Sequence, residues 1–150
     1  MARPRTNLSE SRLARTLVER ELVSSDVIES LFESCSSTQG LLTEALVEQG
    51  LLSDWELSRV AADTFGLPFL PVDVHPPTEA ALEGIDPAFL LRWCVVPLAR
   101  NDDLLTIAIP AAISPQALEE LARQSGCELA IVIGTCTSNR TWLEEWTKGR

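Results

Sequence analysis

Histidine is almost missing from this 150-residue chain, with His75 alone, and none of its four cysteines forms a C-x2-C pair. A zinc site needs clustered soft ligands, so no metal is expected. Cys35, Cys94, Cys127 and Cys136 then read as reduced, mostly buried small hydrophobes. A thiol-dependent enzyme is the weaker alternative, because burial suppresses the thiolate that such chemistry needs. No apolar run approaches the roughly 20 residues that cross a bilayer. The opening "MARPRTNLSESR" has no apolar core of a secretory signal, so a cytoplasmic protein without membrane insertion is expected. Seven glycines are scattered, with neither G-x4-G-K-[ST] nor G-x-G-x-x-G among them, so no loop cradles a triphosphate or dinucleotide. His75 sits in "DVHPP", apart from any Ser or Asp relay. Asp102 and Asp103 read as turn formers, and the pairs Glu119/Glu120 and Glu144/Glu145 as solvated helix faces. Neither a cofactor nor catalysis is expected.

Charge of one sign dominates what is present: the formal net charge is −10. Residues 1–20 carry five arginines against Glu10 and Glu19, a net +3 that leaves −13 for the rest. An acidic body repels phosphate backbones, so nucleic-acid binding is not expected. The basic start reads as a solvated tail.

The first half reads as helices. Asn7 followed by Glu10 has capping-box spacing, with Leu13, Leu17 and Val18 on one face. Val27, Ile28, Leu31, Phe32 and Cys35 form a second stripe, which "SSTQG" is expected to break. Leu41, Leu42, Ala45 and Leu46 form a third, closed by Gly50. Ser53 and Glu56 make a capping box for a fourth helix through Leu57, Val60, Ala61 and Phe65, stopped by Gly66. The four are two copies of one hairpin at an offset of 29 residues: Leu13 matches Leu42, and Leu17-Val18-Glu19 matches Leu46-Val47-Glu48. Leu22 likewise matches Leu51 and Ser24 matches Ser53. Such internal similarity points to a duplicated unit.

The second half changes character at "GLPFLPVDVHPP", which predicts an extended strand and then a loop. Asp86-Pro87 caps a short helix, "PAFLLRW". "CVVPLA" and "LLTIAIP" flank "RNDD" as a β-hairpin. Ser114-Pro115 opens another helix ended by Gly126. "ELAIVIGT" is nearly continuous in apolar character, as expected of a strand covered on both faces. A last helix carries Trp142, Leu143 and Trp146. The expected fold is α+β: a four-helix lobe of duplicated hairpins (residues 1–66) on a small α/β lobe (residues 67–150) with a three- to four-stranded sheet. The apolar join "LPFLPV" suits two lobes sharing one core. Trp55, Trp142 and Trp146 are candidate partner-facing anchors, with burial in the core as the competing role.

Three segments in order, "LLTEALVEQGLLSDWELSRVAADTFGLPFLPVD", "FLLRWCVVPLARNDDLLTIAIP" and "LEELARQSGCELAIVIGT", resemble the N-terminal domain of the secretion and pilus-assembly ATPases, the GspE/PilB group. The likeness spans about residues 12–146. It implies a regulatory and docking domain that contacts the cytoplasmic region of an inner-membrane secretion or pilus assembly protein. In that group a separate ATPase domain carries the P-loop that this chain lacks. The MshE-N subset binds cyclic di-GMP through the duplicated motif R-L-G-x-x-L-V-x-x-G, which closes about 14 residues later in Gln. Position by position, this resemblance would assign ligand roles to Arg12, Leu13 and Leu17 in the first copy, and to Leu42, Leu46 and Gly50 in the second. The chain departs from the motif at Ala14, Glu21 and Cys35, and again at Leu41, Thr43 and Thr64. One arginine of two, one glycine of four and neither glutamine remain. Glu21 would also add repulsion on the order of 4 kcal/mol per charge pair at about 4 Å. The expected role is therefore a protein-interaction domain, with a cyclic di-GMP sensor as the alternative.

Overall fold

The computed structural model describes residues 8–149. Two helical hairpins come first: α1 (Glu10–Glu19) with α2 (Ser25–Thr38), then α3 (Leu42–Glu48) with α4 (Asp54–Phe65). Two short helices follow, α5 (Glu79–Leu82) and α6 (Pro87–Trp93), and then β1 (Val96–Asn101), β2 (Leu104–Pro110), α7 (Pro115–Ser125), β3 (Glu128–Gly134) and α8 (Cys136–Lys148). The sheet has the order β1-β2-β3, with β1 antiparallel and β3 parallel to the central β2.

Capping chemistry sets most boundaries. Ser53 and Glu56 exchange both bonds of a capping box at α4, and Gly66 ends that helix at φ 66°. Asp86 and Ser114 each accept an amide at the start of α6 and α7, with proline in the first turn. Each cap satisfies donors that the helix itself leaves open.

The duplication extends to individual hydrogen bonds. Leu22 N–H donates to Leu17 O and Leu51 N–H to Leu46 O; Glu21 N–H donates to Val18 O and Gly50 N–H to Val47 O. The second hairpin places Gly50 at φ 71°, whereas the first forces Glu21 to φ 59°. A side chain in the left-handed region is strained, so the first copy keeps the turn without its favoured residue.

Five expectations need correction. The cap of α1 is Ser9, whose hydroxyl accepts from Arg12 N–H, which puts Glu10 in the first turn rather than in a capping box; Asn7 lies outside the described residues. The break at "SSTQG" falls at its last two residues rather than its first: α2 runs to Thr38, with the Ser37 and Thr38 hydroxyls bonded to carbonyls of the preceding turn, and Gln39 ends it at φ 58°. The extended strand at residues 67–72 shrinks to a single bridge, Phe69 to Ile133. Pro68 and Pro71 lack amides, leaving only Ile133 N–H to Pro68 O and Leu70 N–H to Ile133 O. The short helix α5 was not foreseen; it packs against β1, where Thr78 N–H bonds the carbonyl of Leu98 at a bulge. Finally, β3 is not covered on both faces: Leu129 through Val132 are all half-buried.

One apolar cluster runs through both lobes, from Leu13, Leu17, Leu42 and Leu46 to Leu90, Ile107, Ile133 and Leu143, all fully buried. The first two turns of α8 bind this core to its surroundings. Cys136 Sγ donates to Asp54 Oδ1 (3.3 Å), Ser138 Oγ to Asp73 Oδ2 (3.0 Å), and Asn139 Nδ2 to the carbonyls of Cys94 (2.9 Å) and Ala108 (3.1 Å). Arg140 forms a fork on Glu44 (2.9 Å to each oxygen) and also reaches Leu91 O at 2.5 Å.

Replacing Glu21 with glycine removes the left-handed strain while the turn's backbone bonds stay in place. Glu21→Gly is expected to raise stability by about 1 kcal/mol, or about 3 °C in Tm for a domain of this size, as read by thermal unfolding.

Candidate functional site: the seam between the two hairpins

The residues flagged by the duplicated motif separate into three kinds. Leu13, Leu17, Leu42 and Leu46 are fully buried and pack the core, offering no surface to a ligand in this conformation. Gly50 is exposed with open space around it, and its role is the left-handed turn. Arg12 stays at the seam. Its guanidinium donates to Thr64 O at 3.2 Å and lies 5.2 Å from the Phe65 ring centroid.

Motif positions of the two copies meet in two places. Arg12 meets Thr64, which holds the glutamine position of the second copy. Leu41, at the arginine position of the second copy, shares a groove with Cys35, at the glutamine position of the first. That groove, about 230 Å³ between α2 and α3, is also lined by Glu44 and Glu48. The groove that Leu41 and Cys35 share is thus lined by a leucine, a thiol and two carboxylates.

Glu10 supplies a further charge that the sequence pattern did not flag. Leu41 occupies the N-cap of α3 and its side chain makes no cap bond. The carboxylate of Glu10, from α1, accepts from Thr43 N–H at 3.3 Å instead, capping a helix 33 residues away. Burial raises its pKa above the ordinary carboxylate value, against the opposing effect of the Thr43 and Leu42 amides and of Arg92. An internal anion therefore occupies the one helix start in the seam that lacks its own cap. Glu21, by contrast, is exposed, so solvent screens the repulsion expected from it. A capping residue contributed by a distant helix leaves no local spacing to find; only the missing cap at Leu41 hints at it.

Two of the buried thiols, Cys94 and Cys136, sit where the thiolate is disfavoured. Burial, reinforced by Glu44, pushes Cys94 up to about 12. Burial and the adjacent Asp54 carboxylate raise Cys136 as well. Among the described residues no group of three or more His, Cys, Asp or Glu is placed to hold a metal ion. No helix among them is long and apolar enough to cross a membrane.

The three candidate anchor tryptophans lie on two features. Trp55 is 58% exposed at the start of α4, its ring edge-on to Phe69 at 4.9 Å. Trp142 and Trp146 are half-buried and stack on one another at 5.7 Å. Trp146 also lines a groove with Ile85 and Glu83.

Fold and seam define an α+β domain built from a doubled helical hairpin on a three-stranded sheet. The chain belongs to the MshEN domain family, whose pattern matches residues 65–150. It is 24% identical over 143 residues to type II secretion system protein E of Xanthomonas campestris pv. campestris, covering 92% of this chain and 25% of that protein. It is 26% identical over 123 residues to the type IV pilus assembly ATPase PilB of Thermus thermophilus, covering 79% of this chain and 14% of PilB. Bacteriophage adsorption protein B of Escherichia coli is 23% identical over 135 residues, covering 89% of this chain and 18% of that protein. The chain thus spans a quarter or less of these relatives. Among solved structures, the N-terminal domain of XpsE superposes with a TM-score of 0.72 at 21% identity, covering 97% of this chain and 99% of that one. MshE with cdg gives 0.64 at 22% identity, covering 89% and 97%.

Because the pKa of Glu10 is raised on folding, its contribution to stability is fully present below the unfolded-state pKa and lost as pH rises through the folded-state value. Glu10→Gln keeps an acceptor for Thr43 N–H without the buried charge. In denaturant titrations the variant is expected to exceed the parent in stability at about pH 7 and to equal it at about pH 3.5. A variant that is weaker at neutral pH would show that the charged cap is net stabilising.

Proposed function

We propose that this chain is a non-catalytic docking and regulatory domain that binds the cytoplasmic region of a membrane-anchored secretion or pilus assembly component. The observation that carries this reading is the seam itself: the main backbone bonds of the hairpin turn recur in both copies, while the motif positions hold Leu41, Cys35 and Thr64. Similarity to segments of secretion protein E and of PilB supports the setting. A place in the cytoplasm, reached at the inner membrane through a partner, follows from it, as does a separate ATPase domain as a second partner. The helical lobe is the contact surface in this reading, since it exposes Trp55, and large aromatics dominate interface energetics. A pull-down against purified cytoplasmic regions of inner-membrane secretion and pilus proteins tests it. One of them is expected to bind, and Trp55→Ala to weaken that binding at least tenfold. Failure of all of them rejects the reading.

A cyclic di-GMP sensor is the second reading, favoured by Arg12 at the seam and by the fold shared with MshE, solved with cdg. Against it stand Glu10, Glu44 and Glu48 around the site of a dianion, and only one of the motif's two arginines. Calorimetry with cyclic di-GMP is expected to give no heat at tens of micromolar; measurable heat that Arg12→Ala abolishes would establish the sensor instead.

A further inference from the structure

β3 is more apolar than its place in the sheet requires. Leu129, Ala130, Ile131 and Val132 carry no charge and no proline, yet they lie on an outer strand where all four are half-buried. Its backbone parity can be read from two bonds. Ile133 donates to Pro68 O and accepts from Leu70 N–H, so its amide and carbonyl face away from β2. Strand alternation gives Ile131 and Leu129 the same orientation. Neither has a backbone partner on that side among the described residues. The opposite edge of the sheet is handled differently. On β1 the carbonyl of Leu98 accepts from Thr78 N–H, and Arg100 reaches Glu83 O across the loop. Folded proteins usually blunt an open edge with lysine, proline, a bulge or a covering element; on β3 the Phe69 bridge does so only at the C-terminal end.

We propose that the open edge of β3 is a strand-addition site for an extended, basic segment of a partner protein. Backbone chemistry selects an extended chain, because Leu129 and Ile131 present two donors and two acceptors at strand spacing. Charge selects a basic one. Asp102, Asp103 and Glu128 are all exposed at the start of this edge, where Glu128 N–H bonds Asp103 O at 2.7 Å. The same charge disfavours a second copy as occupant, since two chains of net −10 would have to bring these carboxylates together. The added strand must be short, ending where the Phe69 bridge begins. The site is independent of the Trp55 surface and of the secretion setting.

Amide-resolved hydrogen exchange on the full chain provides the test, with a synthetic ten-residue peptide of alternating valine and lysine as probe. The peptide is expected to slow exchange at Leu129 and Ile131 at least tenfold. Ala130 and Val132, bonded to β2, should change little. A peptide of the same composition with central proline should have no effect. Ile131→Pro removes an outward amide without breaking a bond to β2 and is expected to abolish the effect. Should that variant fail to fold, Leu129→Lys, which places a repelling charge on the edge, serves the same purpose. Three results would overturn the proposal: slow exchange at Leu129 and Ile131 already in the dilute free chain, protection by the peptide without this alternation, or protection that rises with chain concentration alone.

Discussion

The first two turns of α8 are the constraint on which the arrangement depends. Asn139 is fully buried, and its amide holds the carbonyl that ends α6 together with one from the central strand. A carbonyl deprived of its partner inside a core costs roughly 1–3 kcal/mol, so this one side chain secures two elements at once. Its fit requires Gly134, where a Cβ would come within 2.9 Å of Asn139 Oδ1 and 3.1 Å of Ala108 Cβ. The fork of Arg140 on Glu44 then ties the sheet lobe to α3, with side chains only 26% and 23% exposed. Desolvating such a pair offsets much of its attraction, so its value is in setting the orientation of α3 rather than in net stability.

This attachment explains how the duplicated hairpins could change their chemistry and keep their shape. Backbone bonds and capping serines repeat at the same offset in both copies, and the leucines beneath them are buried in each. None of that depends on the side chains at the seam. Glu10 then fills the uncapped start of α3 with a carboxylate of the chain itself. Arg92 and the neighbouring amides offset part of the cost of burying that carboxylate, and Glu44 adds to it.

Local signals were the legible part of the sequence. Ser53 with Glu56, Asp86-Pro87, Ser114-Pro115, Gly50 and Gly66 each mark a boundary that the fold uses, because a cap depends on only a few neighbouring residues. The features that escaped are those set by residues distant in sequence. Asn139 and Arg140 are ordinary polar residues on a helix until the carbonyls of Cys94, Ala108 and Leu91 are brought to them. Ser58 is another such case, buried on α4 with its hydroxyl on Gly134 O. Continuous apolar character told correctly that "ELAIVIG" is a strand, but strand order decides burial, and the hairpin partner β2 took the centre.

The family match begins at Phe65 and takes in the sheet and α8, leaving out both hairpins. That division has a physical sense. The matched half contains the α8 contacts and the sheet, where most substitutions would open a cavity or strand a buried polar group. The hairpins need only leucines inside and caps at their ends, so their outward positions are free to diverge. Relatives as different as a pilus assembly ATPase and a bacteriophage adsorption protein share a stretch of this size. A scaffold held from within by α8 leaves its outer features free to vary, among them Trp55 and the edge of β3.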